Sequence, residues 1–446
     1  MNTSIRYKCG NPHGIFNRGN PHDICKCGNP HGIFKRGNLH RVRTFSTLRC
    51  IALFAVPALS PMLLAAAADA AAIAAPVQIH GFASQGYALT SANNVFGTSS
   101  DSNGSLGFTE VGVNASYRAT SQLLFAAQVL SRRAGETDDG HGRLDYGVAD
   151  YGFSNDHSAD WGVRAGRIKN PIGFYNDTRD VAFTRPSIIL PQSIYFDRVR
   201  DIQISSDGVQ LYGQGLAPGG DFNLQLQIGD PRVGDSATEI ALLGAERAGS
   251  LRGNPSYLGR LSYDWHGGRV RLAYSEYRLD LDYAAAAQDP NGAGSVIFQP
   301  RIFSAQYNAE RWSITSEFAR RYFKFNSLSS YVPFSTVTGQ SYYVQASYAL
   351  QPQWELLVRY DVLYQNKDDK TGEQYETLTR GTRTAYSQFA KDRSVTLSWV
   401  LAPAWLLRAE QHWVDGTAWL PIQDNPDPAA TTRNWQLFAL LISFRF

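Results

Sequence analysis

The carboxyl-terminal end of the chain carries the pattern that most limits its fold. Reading back from Phe446, every second residue is apolar: Phe444, Ile442, Leu440 and Phe438. Such a strand presents one oily face to lipid, yet lipid offers no hydrogen bonds to unpaired backbone groups. The strand must therefore pair on both edges, which predicts a closed transmembrane β-barrel in a Gram-negative outer membrane. We expect the same five residues to be the assembly signal that the barrel-assembly machinery reads.

Alternation of apolar and polar residues recurs along most of the chain. In one segment Leu224, Leu226 and Ile228 share a side, with Gln225 and Gln227 on the other. This is the period of strands that face lipid on one side and water on the other. Counting such segments predicts sixteen strands, near 77–89, 105–117, 122–132, 143–153, 160–169, 207–214, 221–229, 255–265, 268–279, 299–310, 312–323, 340–350, 353–363, 391–401, 404–413 and 434–446. The predicted fold class is all-β, an antiparallel barrel wide enough to enclose water.

The connections between these strands alternate in length. Short turns are expected after 265, around 310, at 351–352 and at 402–404, and we assign them to the periplasmic rim. Long polar connections are expected at 230–254, 280–298, 324–339, 364–390 and 414–433, and these suit outward loops. Alternation of short and long connections is typical of outer-membrane barrels.

Upstream of the barrel lies a secretory signal. Basic residues within 41–49 precede an apolar stretch at 51–64 and then an alanine-rich segment. This layout predicts a signal peptide at 41–75 that is cleaved between Ala66 and Ala75, rather than a permanent membrane helix. The barrel domain is then 76–446.

Residues 1–40 are repetitive, because KCGNPHGIF occurs at 8–16 and again at 26–34. We interpret this extension as a start codon assigned too early or as a disordered segment. The alternative is a zinc site with four ligands at the spacing of cysteine and histidine pairs, namely Cys9, His13, Cys27 and His31.

The charge and the cysteines change once this upstream part is set aside. All four cysteines lie before residue 76, so the barrel domain contains no thiol. The same domain has 33 basic and 37 acidic residues, a balance of −4. This balance gives no support to nucleic-acid binding and favours cations slightly.

One long connection, 170–206 after the fifth strand, mixes charges with Ile188, Ile189, Leu190 and Tyr195. A fully solvated loop rarely carries so many large apolar side chains, so we expect this loop to fold into the lumen and narrow it. The candidate constriction residues are Arg167, Lys169, Asp177, Arg179, Asp180, Arg185, Asp197, Arg198, Arg200 and Asp201. Two interpretations stay open: a mixed-charge eyelet, or salt bridges that only fix the loop.

Polar residues on the strands identify the face that points into the lumen. The candidate wall residues are Glu110, Asn114, Glu317, Arg359, Asp361, Arg408 and Glu410. An arginine on the lipid side at the bilayer midplane would cost about 2 to 4 kcal/mol, which is why these faces are oriented inward. Ion pairs between neighbouring strands are as consistent with this pattern as contacts with a solute.

The motif GRIKNPIGFYNDTRD, followed by FTRPSIILPQSIYFD and SSDGVQLYG, resembles the Gram-negative outer-membrane porins of the phosphate-selective porin O/P-like superfamily. A looser likeness covers the rest of the barrel domain, including LRAEQHWVDGTAWL and the terminal SFRF. The resemblance implies a sixteen-stranded, homotrimeric diffusion channel whose third outward loop narrows the pore. The phosphate channels of that family rely on dense lysine and arginine lining, and the acid excess of this chain departs from that pattern.

Three functional hypotheses follow. The first is a passive diffusion channel for a small hydrophilic solute or ion, embedded in outer-membrane lipid, with no cofactor, metal or catalytic residue. The second is an adhesion or scaffolding barrel, and the third is a barrel enzyme. The enzyme hypothesis has no motif to support it, because none of the histidines of the barrel domain lies in a nucleophile-elbow or zinc-protease motif. These histidines are His80, His141, His157, His266 and His412.

Overall fold

The computed structural model describes residues 77–153, 159–233, 236–289, 292–329 and 332–446. The extension, the signal peptide and the alternative zinc ligands predicted within 1–75 lie outside the described residues.

The described residues form one closed antiparallel barrel of sixteen strands in which each strand pairs with its neighbours in sequence and β1 pairs with β16. The strands are β1 (Gln78–Thr90), β2 (Ser105–Arg118), β3 (Leu123–Ala134), β4 (Asp139–Gly152), β5 (Ala159–Lys169), β6 (Ser205–Ala217), β7 (Gly220–Pro231), β8 (Ser250–Trp265), β9 (Val270–Ala284), β10 (Gly294–Asn308), β11 (Trp312–Asn326), β12 (Thr336–Gln351), β13 (Trp354–Tyr364), β14 (Phe389–Ala402), β15 (Trp405–Gly416) and β16 (Asn434–Arg445). The predicted fold class and strand count are confirmed.

The two faces of the wall differ as the alternation predicts. On β6, Val209 and Leu211 are exposed on the outer face, while Gln210 between them is fully buried on the inner face. Exposed outer side chains on other strands are also apolar, among them Val111, Val113, Val129, Leu226, Ile228, Leu261, Leu272, Phe303, Ile314, Val344, Val358, Leu397, Leu440 and Ile442. An outer face of this kind is suited to acyl chains.

Several strands extend further than predicted at the long-loop end. β9 continues to Ala284, where Leu279 and Leu281 point inward and are buried while Asp280 and Asp282 point outward. Apolar and polar residues still alternate here, but the polar ones now face outward and the apolar ones inward. The reason is that a strand extending beyond the bilayer has water on its outer face. The predicted strand ends at 279 because the lipid-facing pattern stops there.

Short helices occupy the connections. They are α1 (Arg200–Ile204), α2 (Ser236–Leu243) and α3 (Glu373–Leu378), with single 3-10 turns at Asn176–Thr178, Ala182–Thr184, Asp197–Val199, Ala385–Gln388 and Pro428–Ala430. Among the described residues, none of the helices has the length and apolar character needed to cross a membrane. The sequence patterns did not predict α2, which is eight residues long.

The barrel closes at a seam between β1 and β16. The backbone N–H of Gly81 donates to the carbonyl oxygen of Phe446 at 3.2 Å, and the N–H of Phe446 donates back at 3.0 Å. A Cβ atom at position 81 would lie 2.5 Å from the Phe446 ring, so a larger residue there would have to displace that ring. The last residue of the chain is thus tied into the wall.

Candidate functional site

The connection between β5 and β6, residues 170–204, lies inside the barrel; we call it the inserted segment. Its apolar side chains, such as Ile188, Tyr195 and Ile202, are buried in the main apolar cluster. Polar contacts join it to strands far apart around the wall. The inserted segment therefore fills part of the space that the strands enclose.

Asn170 holds the two ends of the inserted segment together. Its backbone N–H donates to the carbonyl oxygen of Ile204 at 3.1 Å, and its side-chain amide donates to that of Ile202 at 3.3 Å. The side-chain oxygen accepts bonds from Ser206 at 2.9 Å and from Gln227 at 3.0 Å. One buried side chain thus closes the neck of the segment and binds it to β6 and β7.

Glu110 of β2 anchors one side of the segment. An Nη atom of Arg185 lies 2.7 Å from one of its carboxylate oxygens, and Nε of Arg132 lies 3.4 Å from the other. Arg132 also binds Asp197 at 2.6 Å, and Asp197 binds Arg179 at 3.0 Å. Burial alone would raise the pKa of Asp197, but Arg132 and Arg179 hold it below its usual value.

Lys169, at the end of β5, joins two carboxylates. Its Nζ atom lies 2.6 Å from Asp145 of β4 and 2.5 Å from Asp180 of the inserted segment. Asp180 also pairs with Arg200, and Asp145 accepts a bond from Gln128 at 2.8 Å. These buried charges therefore have opposite charges beside them, which burial requires.

Glu317 of β11 anchors the segment on the far side of the barrel. One carboxylate oxygen accepts bonds from Ser304 at 2.5 Å and from the backbone of Phe174 at 3.0 Å. The other accepts bonds from the hydroxyls of Tyr195 at 2.7 Å and Tyr343 at 2.8 Å. Four donors on one buried carboxylate fix the segment firmly to this wall.

Glu410 of β15 makes a third anchor. It accepts bonds from the backbone N–H of Ile188 at 2.7 Å and from Thr396 at 3.1 Å. Nε2 of His412 lies 2.7 Å from Glu410, and Nδ1 lies 2.7 Å from Asp392. Both ring nitrogens of this buried histidine are thus bound by carboxylates of the wall, which leaves neither to serve another group.

The remaining wall candidates that reach the segment lie on β13 and β15. Arg359 donates to the carbonyl oxygen of Ile189 at 2.8 Å, and Arg408 donates to that of Ala182 at 2.8 Å. Asp361 accepts a bond from the backbone of the segment at 3.3 Å. Six of the seven wall candidates therefore contact the inserted segment, namely Glu110, Glu317, Arg359, Asp361, Arg408 and Glu410.

Three constriction candidates lie nearer the surfaces of the segment. Asp177 binds Arg260 of β8 at 2.5 Å, and Asp201 lies 3.5 Å from Arg143 of β4. Arg198 donates to a carbonyl oxygen in the loop between β15 and β16 at 3.2 Å. Burial lowers the pKa of Arg198 to about 10, and the nearby positive charge of an arginine in the loop after β13 adds to this effect.

Two candidates stand apart from the segment. Arg167 binds Asp207 of β6 at 2.7 Å, on the strand face that also carries the exposed Val209. By alternation this is the outer face of the wall, so Arg167 is not brought together with the other constriction candidates. Asn114 lies on the inner wall, within 3.4 Å of Gln128.

Access to water differs around the inner wall. Glu317 and Glu410 have fully buried side chains, with 0% exposure each. On the wall formed by β5 to β8, in contrast, the side chains of Arg164 and Arg260 retain 13% and 16% exposure, and Asp177 beside them retains 31%. The partly wet region of the inner wall is therefore the neighbourhood of Arg164, Arg260 and Asp177, whereas Gln210 and Gln227 of the strands between β5 and β8 are buried.

Several residues of the site were missed from the sequence. Arg132 and Asp392 lie on inner strand faces, and the alternation of β3 and β14 contained the signal for both. Arg260 is similarly an inward residue of β8. Asp145 was hidden by a register shift between β3 and β4, and Asn170 directly follows a strand, where no periodic signal exists.

Among the described residues, no group of three or more histidine, cysteine, aspartate or glutamate side chains is arranged to hold a metal ion.

No protein-family model matches the chain, and no curated protein matches it in sequence. Several solved structures are similar to the chain in fold. An anion-selective porin from Comamonas acidovorans matches with a TM-score of 0.54 and 12% identity over 83% of this chain and 99% of that one. OmpF of Salmonella typhi, solved with daunomycin, matches with a TM-score of 0.51 and 12% identity over 83% of this chain and 97% of that one. The outer membrane channel DcaP of Acinetobacter baumannii matches with a TM-score of 0.50 and 10% identity over 84% of this chain and 99% of that one.

Identities this low bear on the fold alone, and they agree with the wall described above. A closed sixteen-stranded barrel with an apolar outer face satisfies its backbone within the bilayer. The chain is therefore an integral outer-membrane β-barrel protein with a porin-like fold.

Proposed function

We propose that this protein is an outer-membrane diffusion channel for small hydrophilic solutes or ions, and not an enzyme. The observation that carries the proposal is a sixteen-stranded barrel with polar residues inside, apolar residues outside and a charged segment bound within the lumen. A barrel of this size encloses more space than side chains of the wall can fill. The inserted segment then narrows that space rather than closing a small barrel.

The path of the solute runs, in this proposal, between the inserted segment and the wall of β5 to β8. The support is the partial exposure of Arg164, Arg260 and Asp177, against the full burial of Glu317 and Glu410. Arg260 and Asp177 carry opposite charges at 2.5 Å and would face the passing solute together. A mixed-charge passage of this kind admits ions of both signs and orients polar solutes.

The test is single-channel recording in planar bilayers. The purified protein should give discrete steps in KCl whose current is proportional to voltage. We also propose a homotrimer, on the resemblance to porins, so that steps should come in groups of three. Bilayers that stay sealed over a range of protein concentrations would reject the channel function.

An adhesion or scaffolding barrel is the second candidate, and specific contacts favour it. The loop between β1 and β2 is bound to the loop before β16: Asn94 accepts a bond from Asn425 at 2.8 Å, and Asn93 donates to Thr432 at 2.7 Å. Ordered outer loops above a largely filled lumen suit the binding of an outside partner. Sealed bilayers would favour this candidate.

Enzymatic function has less support. His412 is the histidine that the fold brings between two carboxylates, but both of its nitrogens are occupied and the ring is fully buried. A general base needs a nitrogen within reach of a substrate proton. The arrangement is better suited to holding β14 and β15 together.

A further inference from the structure

At the long-loop end of the barrel the inserted segment forms the floor of a cavity of about 370 Å³, which we call the vestibule. It is lined by described residues within 196–203, 241–247, 321–337, 365–388 and 417–431, together with Phe298. This volume is in the range of pockets that hold small organic molecules. The vestibule is distinct from the partly wet wall at β5 to β8.

The charges in the vestibule are of one sign. Its described lining includes Arg198, Arg247, Arg321 and Arg383 but no aspartate or glutamate. This contrasts with the inserted segment below it, where Arg179 and similar side chains sit beside carboxylates. The described lining of the vestibule therefore carries an excess of positive charge.

Three of these arginines lack a salt bridge among the described residues. Within the described residues, no salt bridge of 4.0 Å or less involves Arg198, Arg321 or Arg383. Arg321 and Arg383 donate instead to backbone carbonyl oxygens, at 3.1 and 3.3 Å, as Arg198 does. Arg321 is only 5% exposed, and its Nε atom has no hydrogen-bond partner. Asp361 acts on Arg321 only from beyond 4.0 Å, and a buried cation without a direct acidic partner is costly, so an anion bound here would be stabilised.

Aromatic rings form much of the remaining surface. Phe298 and Phe323 stack with centroids 4.4 Å apart, and Phe334 and Tyr375 stack at 6.0 Å on another side of the vestibule. Rings of this kind offer flat apolar faces for a third ring. The lining is thus suited to a ligand that has an apolar ring at one end and a negative charge at the other.

We propose that the vestibule is a binding site for small aromatic carboxylates, with the carboxylate on Arg198, Arg321 and Arg383 and the ring against Phe323 and its neighbours. The proposal deepens the channel function by naming a class of solute, and in that respect it rests on that function. Binding itself does not need conduction, so the two can be tested separately.

The experiment is equilibrium dialysis of the intact protein in detergent against benzoate. Saturable binding is expected, and Arg321→Gln should weaken it about tenfold or more, since a charge-assisted bond is lost. The matched control is Arg320→Gln, because Arg320 is the exposed neighbour on the outer face of β11. Arg383→Gln, in a loop, provides a second test if the Arg321 variant does not fold.

Three probes separate the parts of the proposal. Acetate has the charge without the ring, benzyl alcohol the ring without the charge, and benzylamine the opposite charge; each should bind at least about tenfold more weakly than benzoate. Equal binding of benzylamine, or full binding by both arginine variants, would overturn the proposal. If the protein conducts in KCl but does not bind benzoate, the binding site is wrong and the channel function stands. If it binds benzoate but does not conduct, the channel function is wrong and the binding site stands.

Discussion

At the scale of single residues, the position of each charge decides whether it holds the inserted segment or faces water. Arg185 and Glu110 are fully enclosed and bind each other at 2.7 Å. Asp177 and Arg260 make a bond of similar length, but both retain contact with water. Charges of the second kind can act on a passing ion because water and ions reach them, whereas the first pair is enclosed by protein.

Asp177 and Arg260 therefore give opposite predictions for ion selectivity. Arg260→Gln should shift the reversal potential in asymmetric KCl toward cations, and Asp177→Asn should shift it toward anions. A charge about 7 Å from an ion interacts by roughly 0.6 kcal/mol in water, with opposite sign for cation and anion, so each cation-to-anion permeability ratio should change by up to roughly sevenfold.

The control for this pair is Arg278→Gln, an exposed arginine on the outer side of β9. It should leave the reversal potential unchanged. Shifts of the same sign in both the Asp177 and the Arg260 variants would mean that they act by loosening the segment, and our path would be wrong.

At the scale of elements, the inserted segment is fixed by bonds to strands on several sides. Ser341 of β12 donates to the carbonyl oxygen of Ser193 at 2.7 Å, next to the bonds made by Glu317 and Glu410. Conduction in our proposal needs no movement of the segment, because the path lies beside it. The segment should therefore behave as a static part of the wall.

A disulfide can test this expectation cleanly, because residues 76–446 contain no native cysteine. Ser193→Cys combined with Ser341→Cys, oxidised during refolding, should tether the segment to β12. Single-channel conductance should be the same in the oxidised and reduced forms, with each single variant as a control. A conductance that falls on oxidation and recovers on reduction would show that the segment moves as ions pass.

The elements also show what the sequence could and could not predict. Strand number and facing followed from alternation, because lipid and water impose a period of two on each strand separately. The anchors of the inserted segment could not be predicted in the same way. Ile188 binds Glu410, which is 222 positions away, and nothing in either local pattern selects that partner. The prediction ends β9 at 279, five residues short of its carboxyl-terminal end at Ala284, because the polarity of the pattern inverts above the membrane.

At the scale of the whole molecule, net charge and local charge differ. Residues 76–446 have an acid excess, with 37 acidic and 33 basic residues, which favours cations. The vestibule nevertheless has arginines and no carboxylate in its described lining. Composition could not predict this separation, since it depends on which loops meet above the inserted segment.

Barrel closure gives a prediction at the same scale. Phe446→Ser removes the ring that lies over Gly81 at the seam, and because that ring is 63% exposed we expect a cost of about 0.5 to 1 kcal/mol of stability and a lower folded fraction. Heat-modifiable mobility on gels measures that fraction. Phe303→Ser, an exposed phenylalanine on β10 away from the seam, is the control and should have a smaller effect. Equal losses in the two variants would indicate a general effect of apolar area.

The bonds of Asn170 to Ile204, Ile202 and β6 tie both ends of the inserted segment together at one point. Insertions or deletions between those ends cannot be absorbed by slack at the base, as they can in a free surface loop. In the proposed channel, each added or lost residue would then change the bore itself. Divergence in the length of this stretch would thus be the simplest evolutionary route to a different solute size, with the cylinder around it left intact.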